Sequence, residues 1–201
     1  MAICLCCSCQ SQTKDFEQKI NVGGPCEGCK ALFEYGDQTL KSIDTLPDFA
    51  VNDSKLKIVG RVYQKDGRTP AKDVIIYIYQ TDNKGIYPKK GDEQGWAKRH
   101  GYIRGWVKTG ADGKYTFYTF RPASYPNTRI PQHIHATIKE PDKNAYYIAD
   151  YRFDDDPYLS TENNNIANPR GGSGIMTPRT ENGIQIVERD IILGKNIPNY
   201  E

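Results

Sequence analysis

Tyr87, Tyr125, His133 and His135 carry the chemistry open to this sequence: two phenols and two imidazoles, the latter spaced His-x-His. Side chains in a strand return to the same face every second residue, so the run 132–137 sets both imidazoles side by side. Two neutral imidazoles chelate a metal, and their partners select which one. Phenolates are hard, anionic, electron-rich donors that favour a trivalent ion over zinc or divalent iron. A His2Tyr2 set therefore points to Fe(III) held without haem. The chain has three histidines, and this pattern uses two of them. An isolated His-x-His equally suits two hydrogen-bonded strand residues, so the surrounding segments decide.

Those segments run in order from Leu56 to Leu159. Gly60-Arg61-Val62-Tyr63 with Asp66-Gly67 and Pro70 comes first, then Gln80-Thr81-Asp82-Asn83-Lys84-Gly85-Ile86-Tyr87. Thr109 and Asp112-Gly113-Lys114-Tyr115-Thr116-Phe117 follow, then Arg121-Pro122-Ala123-Ser124-Tyr125-Pro126. Pro131-Gln132-His133-Ile134-His135 and Phe153-Asp154-Asp155-Asp156-Pro157 close the series. The ordered set resembles the catalytic core of the intradiol ring-cleavage dioxygenases, the catechol and protocatechuate 3,4-dioxygenase group. It is this resemblance that singles out two of fourteen tyrosines. It implies Tyr87, Tyr125, His133 and His135 as ligands of one non-haem Fe(III) per chain. It places Tyr125 and His135 on the axial positions and Tyr87 and His133 on the equatorial ones. Tyr125 is then the catalytic residue, leaving the metal to take a substrate proton. The implied reaction is cleavage of a catechol-type ring by O2 between its two hydroxylated carbons, to a muconate-type diacid.

Two positions depart from that family. An arginine usually lies against the substrate ring two residues before the glutamine or alanine of the Arg-Pro-x-His segment, and here Ile130 stands there. Arg129 is adjacent, but neighbouring strand residues face opposite ways. A later family glutamine falls on Asp150. Ile130 and Asp150 are thus the expected substrate-contacting positions. With Ile130 making that wall apolar, turnover is expected to be slow and to favour uncharged catechols, unless Arg104 or Arg129 reaches in.

The elements that position these residues read as strands. Leu56 to Tyr63 alternates apolar and polar residues before an Asp-Gly turn. Val74 to Tyr79 is denser in apolar and β-branched residues, as for a central strand covered on both faces. Further strands are predicted near Ile103–Lys108, Lys114–Phe120, His133–Lys139, Tyr146–Phe153 and Ile184–Leu193. The predicted fold is all-β: a sandwich of mixed or antiparallel sheets, with long active-site loops and a short N-terminal helical segment. Residues 1–20 read as a leader or tether, 21–50 as an extension carrying Cys-x-x-Cys and a short helix from Cys29 to Tyr35, and 51–201 as the sandwich domain. The irregular stretch from Lys84 to Tyr102 is long enough to be functional and to wall a pocket above the metal. Its His100 reads as a hydrogen-bonding loop histidine rather than a fifth ligand. The Gly-Arg-Val-Tyr and Asp-Gly-Lys-Tyr-Thr-Phe segments also resemble transthyretin-like binding modules, which hold no metal. The rival reading is therefore a non-enzymatic sandwich, with an iron-binding but inactive family member as a third.

Bulk properties narrow the choices. With 27 basic and 25 acidic residues the formal net charge is +2, well mixed, so nucleic-acid binding has no electrostatic footprint. No apolar run approaches a membrane span. Cys4, Cys6, Cys7 and Cys9 crowd the first nine residues. Ser8-Cys9 followed by polar residues is similar to the end of a bacterial lipoprotein signal. That implies lipidation at Cys9, a membrane tether and a cell-envelope or periplasmic location; the alternative is a cytoplasmic protein with a role-free terminus. Cys26 and Cys29 have three readings. A redox site would need a βαβ context, which is missing, and a zinc site a second ligand pair that only the N-terminal cysteines could supply. The favoured one is a structural disulfide that pins the short helix and fits an oxidising compartment. Association into oligomers is expected from the resemblance alone.

Overall fold

The computed structural model describes residues 21–160 and 167–201; the leader and Cys9 lie outside them. Two six-stranded sheets face each other. The first has the order β1 (Ile43–Thr45), β5 (Lys114–Phe120), β2 (Lys55–Tyr63), β11 (Ile184–Glu188), β10 (Arg179–Glu181), with β12 (Ile191–Ile192) also on β2. The second runs β4 (Arg104–Lys108), β3 (Ile75–Gln80), β6 (His133–Lys139), β8 (Tyr151–Phe153), β9 (Ile175–Met176), with β7 (Tyr146–Tyr147) also on β6. Both sheets mix parallel and antiparallel pairs. The expected all-β sandwich is the fold.

Alternation decides which faces meet. Leu56, Ile58 and Val62 of β2 and Phe117 of β5 turn inward against Ile76, Ile78, Ile134, Ala136 and Ile138 of β3 and β6. These are the period-two positions of each strand. Buried Gln80, at the end of β3, ties the sheets together: its amide donates to the Phe120 carbonyl at 2.8 Å and its oxygen accepts from the Thr119 hydroxyl at 2.9 Å. Both ends of that amide are satisfied, as burial of a polar group requires.

The elements differ from those expected at several places. The predicted strands Tyr146–Phe153 and Ile184–Leu193 each divide in two. In the second case the Arg189 carbonyl swings in toward β2, where a methyl at Gly60 would stand only 1.9 Å from it. Asp190 then accepts the Arg61 N–H in place of a ladder partner. Residues 43–45, within the expected extension 21–50, are an edge strand paired in parallel with β5, so the first sheet begins inside that extension. The predicted helix is a 3-10 turn, Cys29–Phe33, and a four-residue helix α1 (Ala97–His100) interrupts the irregular stretch before β4. Among the described residues, no helix is long and apolar enough to cross a membrane.

The opposite face of the second sheet is the one that matters for function. Tyr77 and Tyr79 of β3 point away from the sandwich core, and β6 sets Thr137 and His135 directly across from them. The N-terminal extension covers this outer face: Cys29, Ala31 and Leu32 bury Tyr77, with Cys26, Tyr79 and Trp96 against the same cluster. Cys26 and Cys29 are joined in a disulfide.

Candidate metal centre

His133 and His135 stand on that outer face, two residues apart on β6. Each turns Nε2 toward the tyrosines and is held at its other nitrogen. Nδ1 of His133 lies 2.7 Å from the Pro131 carbonyl, and Nδ1 of His135 lies 3.0 Å from a carboxylate oxygen of Asp150. A carbonyl and a carboxylate accept only, so both Nδ1 atoms carry the proton and both Nε2 lone pairs are free to ligate. His135 is also stacked on Tyr79, with ring centres 4.6 Å apart.

The tyrosines arrive on two docked turns. In Asp82-x-x-Gly85-x-Tyr87 the Asp82 carboxylate accepts the N–H groups of Lys84 and Ile86, which folds the turn back on itself. The second turn is fixed to the first: Ala123 N–H donates to the Asp82 carbonyl at 3.0 Å, and the Thr81 hydroxyl donates to the Ala123 carbonyl at 2.8 Å. Arg121 anchors its other end, forking onto Asp155 at 2.9 and 2.6 Å and reaching Gln132 at 2.6 Å. Asp156 accepts the Gln132 N–H at 2.8 Å. The Arg-Pro and Asp-Asp-Asp-Pro segments thus fasten the Tyr125 turn to the start of β6. The two segments lie 34 residues apart in sequence and bind each other only in the fold.

The four donors converge. Tyr87 Oη is 2.5 Å from Tyr125 Oη and 2.9 Å from His135 Nε2. Tyr125 Oη is 3.2 Å from His133 Nε2 and 3.3 Å from His135 Nε2. Separations of 2.9–3.3 Å are those of donors sharing an ion at bond lengths of about 2 Å. Burial, then the hydrogen bond to Tyr125, pushes the Tyr87 phenol well above its ordinary range; burial also raises Tyr125. Burial and the neighbouring His135 hold His133 below the usual imidazole value, hence neutral. The residues therefore fit a highly charged cation, which supplies the positive charge that buried phenolates need, next to two imidazoles already in the ligating tautomer.

His133, His135 and Asp150 also satisfy a simple distance criterion for a metal site. The orientation argues for a different set. Asp150 meets the nitrogen of His135 that faces away from the tyrosines, so it positions a ligand rather than serving as one. Burial works against its ionisation, but the His135 hydrogen bond together with the neighbouring charges of His135, His133 and Arg152 outweighs that and keeps its carboxyl below the ordinary range. Asp150, expected to contact substrate, is placed behind His135. Asp150→Ala should weaken metal binding roughly 10- to 100-fold while leaving all four donors in place. Competition with a chelator measures it, and an unchanged affinity would remove the positioning role.

Two hollows adjoin the donors, of about 210 Å³ and about 250 Å³, and Glu27, Tyr79, His100 and His135 line both. Ile130 lines neither and is 45% exposed. Of the two arginines that were candidates to replace the family arginine, Arg104 is engaged by Glu34 at 2.6 Å, and Arg129 is exposed. Arg99, which sequence reading passed over, is the cation lining the smaller hollow. His100 is buried, bonded to the Tyr77 hydroxyl at 2.8 Å and stacked on Tyr79 at 3.7 Å. Burial, then the charge of Arg104, lowers its pKa to about 4, so it is a neutral wall residue.

A mixed β-sandwich thus brings two phenols and two imidazoles together beside one outer face. A family model described as dioxygenase matches residues 44–182, wider at both ends than the stretch the motifs marked out, and the chain belongs to the intradiol ring-cleavage dioxygenase family. The protocatechuate 3,4-dioxygenase beta chain of Burkholderia cepacia is 26% identical over 112 residues, 53% of this chain and 47% of that one. The chain thus aligns with about half the length of that relative. Among solved structures, the dioxygenase domain of a dioxygenase–carbohydrate-binding fusion from Streptomyces sp. SirexAA-E superposes with a TM-score of 0.56 at 23% identity, covering 80% of this chain and 94% of that one. Catechol 1,2-dioxygenase from Acinetobacter sp. ADP1 gives a TM-score of 0.58 at 16% identity, covering 78% and 59%.

Proposed function

We propose that this chain is a non-haem Fe(III) dioxygenase that opens a catechol-type ring between its two hydroxylated carbons, with one ion per chain. The observation that carries the proposal is the linkage of Tyr87, Tyr125 and His135 in one mutually contacting set, with His133 joined to it through Tyr125. When bound, ferric iron would supply Lewis acidity and draw electron density from the catecholate, opening the ring to dioxygen. The chain supplies the rest. His133 and His135 hold with tautomers fixed by Pro131 and Asp150. Tyr87 is the more enclosed phenol, in tilted ring contact with Tyr79 and joined to Tyr125. Tyr125, touching both imidazoles and the other phenol, is the group placed to take a proton from an incoming catechol hydroxyl. Tyr79 and Trp96 line the hollow beside the donors, where the ring would sit. Both oxygen atoms enter a muconate-type diacid, so no further reductant is consumed.

The test is metal analysis and a visible spectrum of protein expressed with iron, followed by oxygen uptake with a panel of catechols. One iron per chain, a tyrosinate charge-transfer colour and uptake of one O2 per ring are expected. A colourless protein that takes up no iron would sink the reading in favour of a binding module. A coloured protein that consumes no oxygen would leave an iron-binding member without turnover.

A further inference from the structure

Beyond the donors, the pocket has a wall that comes from outside the region of family resemblance. Glu27 lines both hollows and Gly28 lines the larger one, and both sit between the joined Cys26 and Cys29. The loop is tightly constrained. Cys29 is buried against the outer sheet face, and Cys26 packs on the same cluster. Gly28 adopts a left-handed backbone with φ 83°, and a methyl there would stand 3.0 Å from the His100 ring and 3.6 Å from Trp96. His100 in turn stacks on Tyr79, and Tyr79 on His135. Contact thus runs unbroken from the disulfide to a metal donor. At the pocket end, Glu27 is ion-paired with Arg99 of α1, whose guanidinium lies 5.6 Å from the Trp96 ring centre.

That ion pair adds little to stability: its side chains are 73% and 63% exposed, and exposed pairs are weak. Its position gives it another use. Glu27 and Arg99 are the charged residues lining the smaller hollow, and each neutralises the other, leaving no free cation there for an anionic substituent. The disulfide, the packing of Cys26 and Cys29 on the outer sheet face and the close approach of Gly28 to His100 hold the loop against the pocket. Opening the cross-link restores conformational freedom to the loop.

We propose that the disulfide-closed Glu27–Gly28 loop, ion-paired with Arg99, is the specificity-determining wall of this pocket, admitting catechols whose outward substituent is small and uncharged. The proposal rests on the catechol reading above. It departs from the idea that Ile130 sets the preference, since Ile130 lines neither hollow. The test uses the iron-loaded full chain in three forms: wild type with the disulfide intact, Cys26→Ser/Cys29→Ser, and Glu27→Ala. Dissociation constants by calorimetry and kcat/KM by oxygen uptake are measured for catechol, 4-tert-butylcatechol and 3,4-dihydroxybenzoate. The readout is a ratio to catechol within each form, so a general loss of activity does not enter it.

Both variants should raise the 4-tert-butylcatechol ratio about 10-fold or more, a change of about 1.4 kcal/mol. Only Glu27→Ala, which leaves Arg99 unpaired, should also raise the 3,4-dihydroxybenzoate ratio. Ratios unchanged in both folded variants would overturn the wall while leaving the dioxygenase reading intact. If the cysteine variant does not fold, Glu27→Ala decides alone. Failure of every form to bind or consume any catechol would overturn the reading and the wall together.

Discussion

His135→Ala is expected to release the iron and abolish both colour and turnover. His135 Nε2 is the atom that meets both phenols, at 2.9 Å from Tyr87 and 3.3 Å from Tyr125. Its removal takes away one arm of a two-imidazole chelate, the stacking partner of Tyr79 and the proton donor to Asp150 at one stroke. The Asp150 carboxylate is then left partly buried without its partner, which favours its protonation. Loss of an outer-sphere partner alone costs about 10- to 100-fold in metal affinity, so loss of the ligand itself should exceed that range. His133→Ala should behave alike, since His133 contributes the second Nε2. Tyr125→Phe should keep some iron through the remaining three donors and lose most turnover, because it removes a proton acceptor together with a charge. The fold should survive these changes, for the histidines sit on the outer face of β6 while Ile134, Ala136 and Ile138 fill the core. Iron content per chain, the visible spectrum and a thermal melt together check the prediction. A histidine variant that retains full iron and its colour would show that residue is not a ligand.

How much of this was legible beforehand follows from the range of the interactions involved. Period-two alternation is a local property, so β2, β5 and β6 could be read to within a residue, and His-x-His on β6 announced a shared face. Residues 43–45 carry no such signal: Ile43-Asp44-Thr45 becomes a strand only because β5 offers it an edge, a tertiary effect. The division of the last predicted strand likewise depends on Gly60 meeting the Arg189 carbonyl, a contact 129 positions apart. At the site, the donor types and order were visible, but their supports were not. Asp150 fell opposite a family glutamine by alignment of a segment, and only the fold shows that its carboxylate faces Nδ1 of His135. Nothing in its local sequence marks Arg99; the fold carries it to the pocket beside Glu27, across 72 positions of chain. Sequence patterns report the period of one strand or the order of motifs, and these partners share neither.

Gly85→Ala should disable the site from outside its donor set. Gly85 has φ 77°, a left-handed conformation that costs an L-residue about 1–2 kcal/mol. The larger problem is contact. A methyl at Gly85 would stand 2.0 Å from the Ser124 carbonyl oxygen, 2.9 Å from its carbon and 3.1 Å from Pro126 Cδ. Backbone atoms cannot yield as a flexible side chain does, so the two turns must part. Tyr87 lies two residues beyond Gly85 and Tyr125 one beyond Ser124, and their hydroxyls are only 2.5 Å apart. Separating the turns therefore separates the phenols, and misplacement of reacting groups by about 1 Å can cost about 100-fold in rate. Gly91 provides the control: it lies in the same irregular stretch with φ 105°, yet a methyl there meets nothing within 4 Å. Gly91→Ala thus carries backbone strain without the collision. Gly85→Ala should lose iron stoichiometry, weaken the tyrosinate colour and lower kcat/KM about 100-fold, with a depressed melting temperature, while Gly91→Ala should show only the last, and to a smaller degree. Equal behaviour of the two variants in metal content and rate would mean that the close approach of the turns does not set the spacing of the donors.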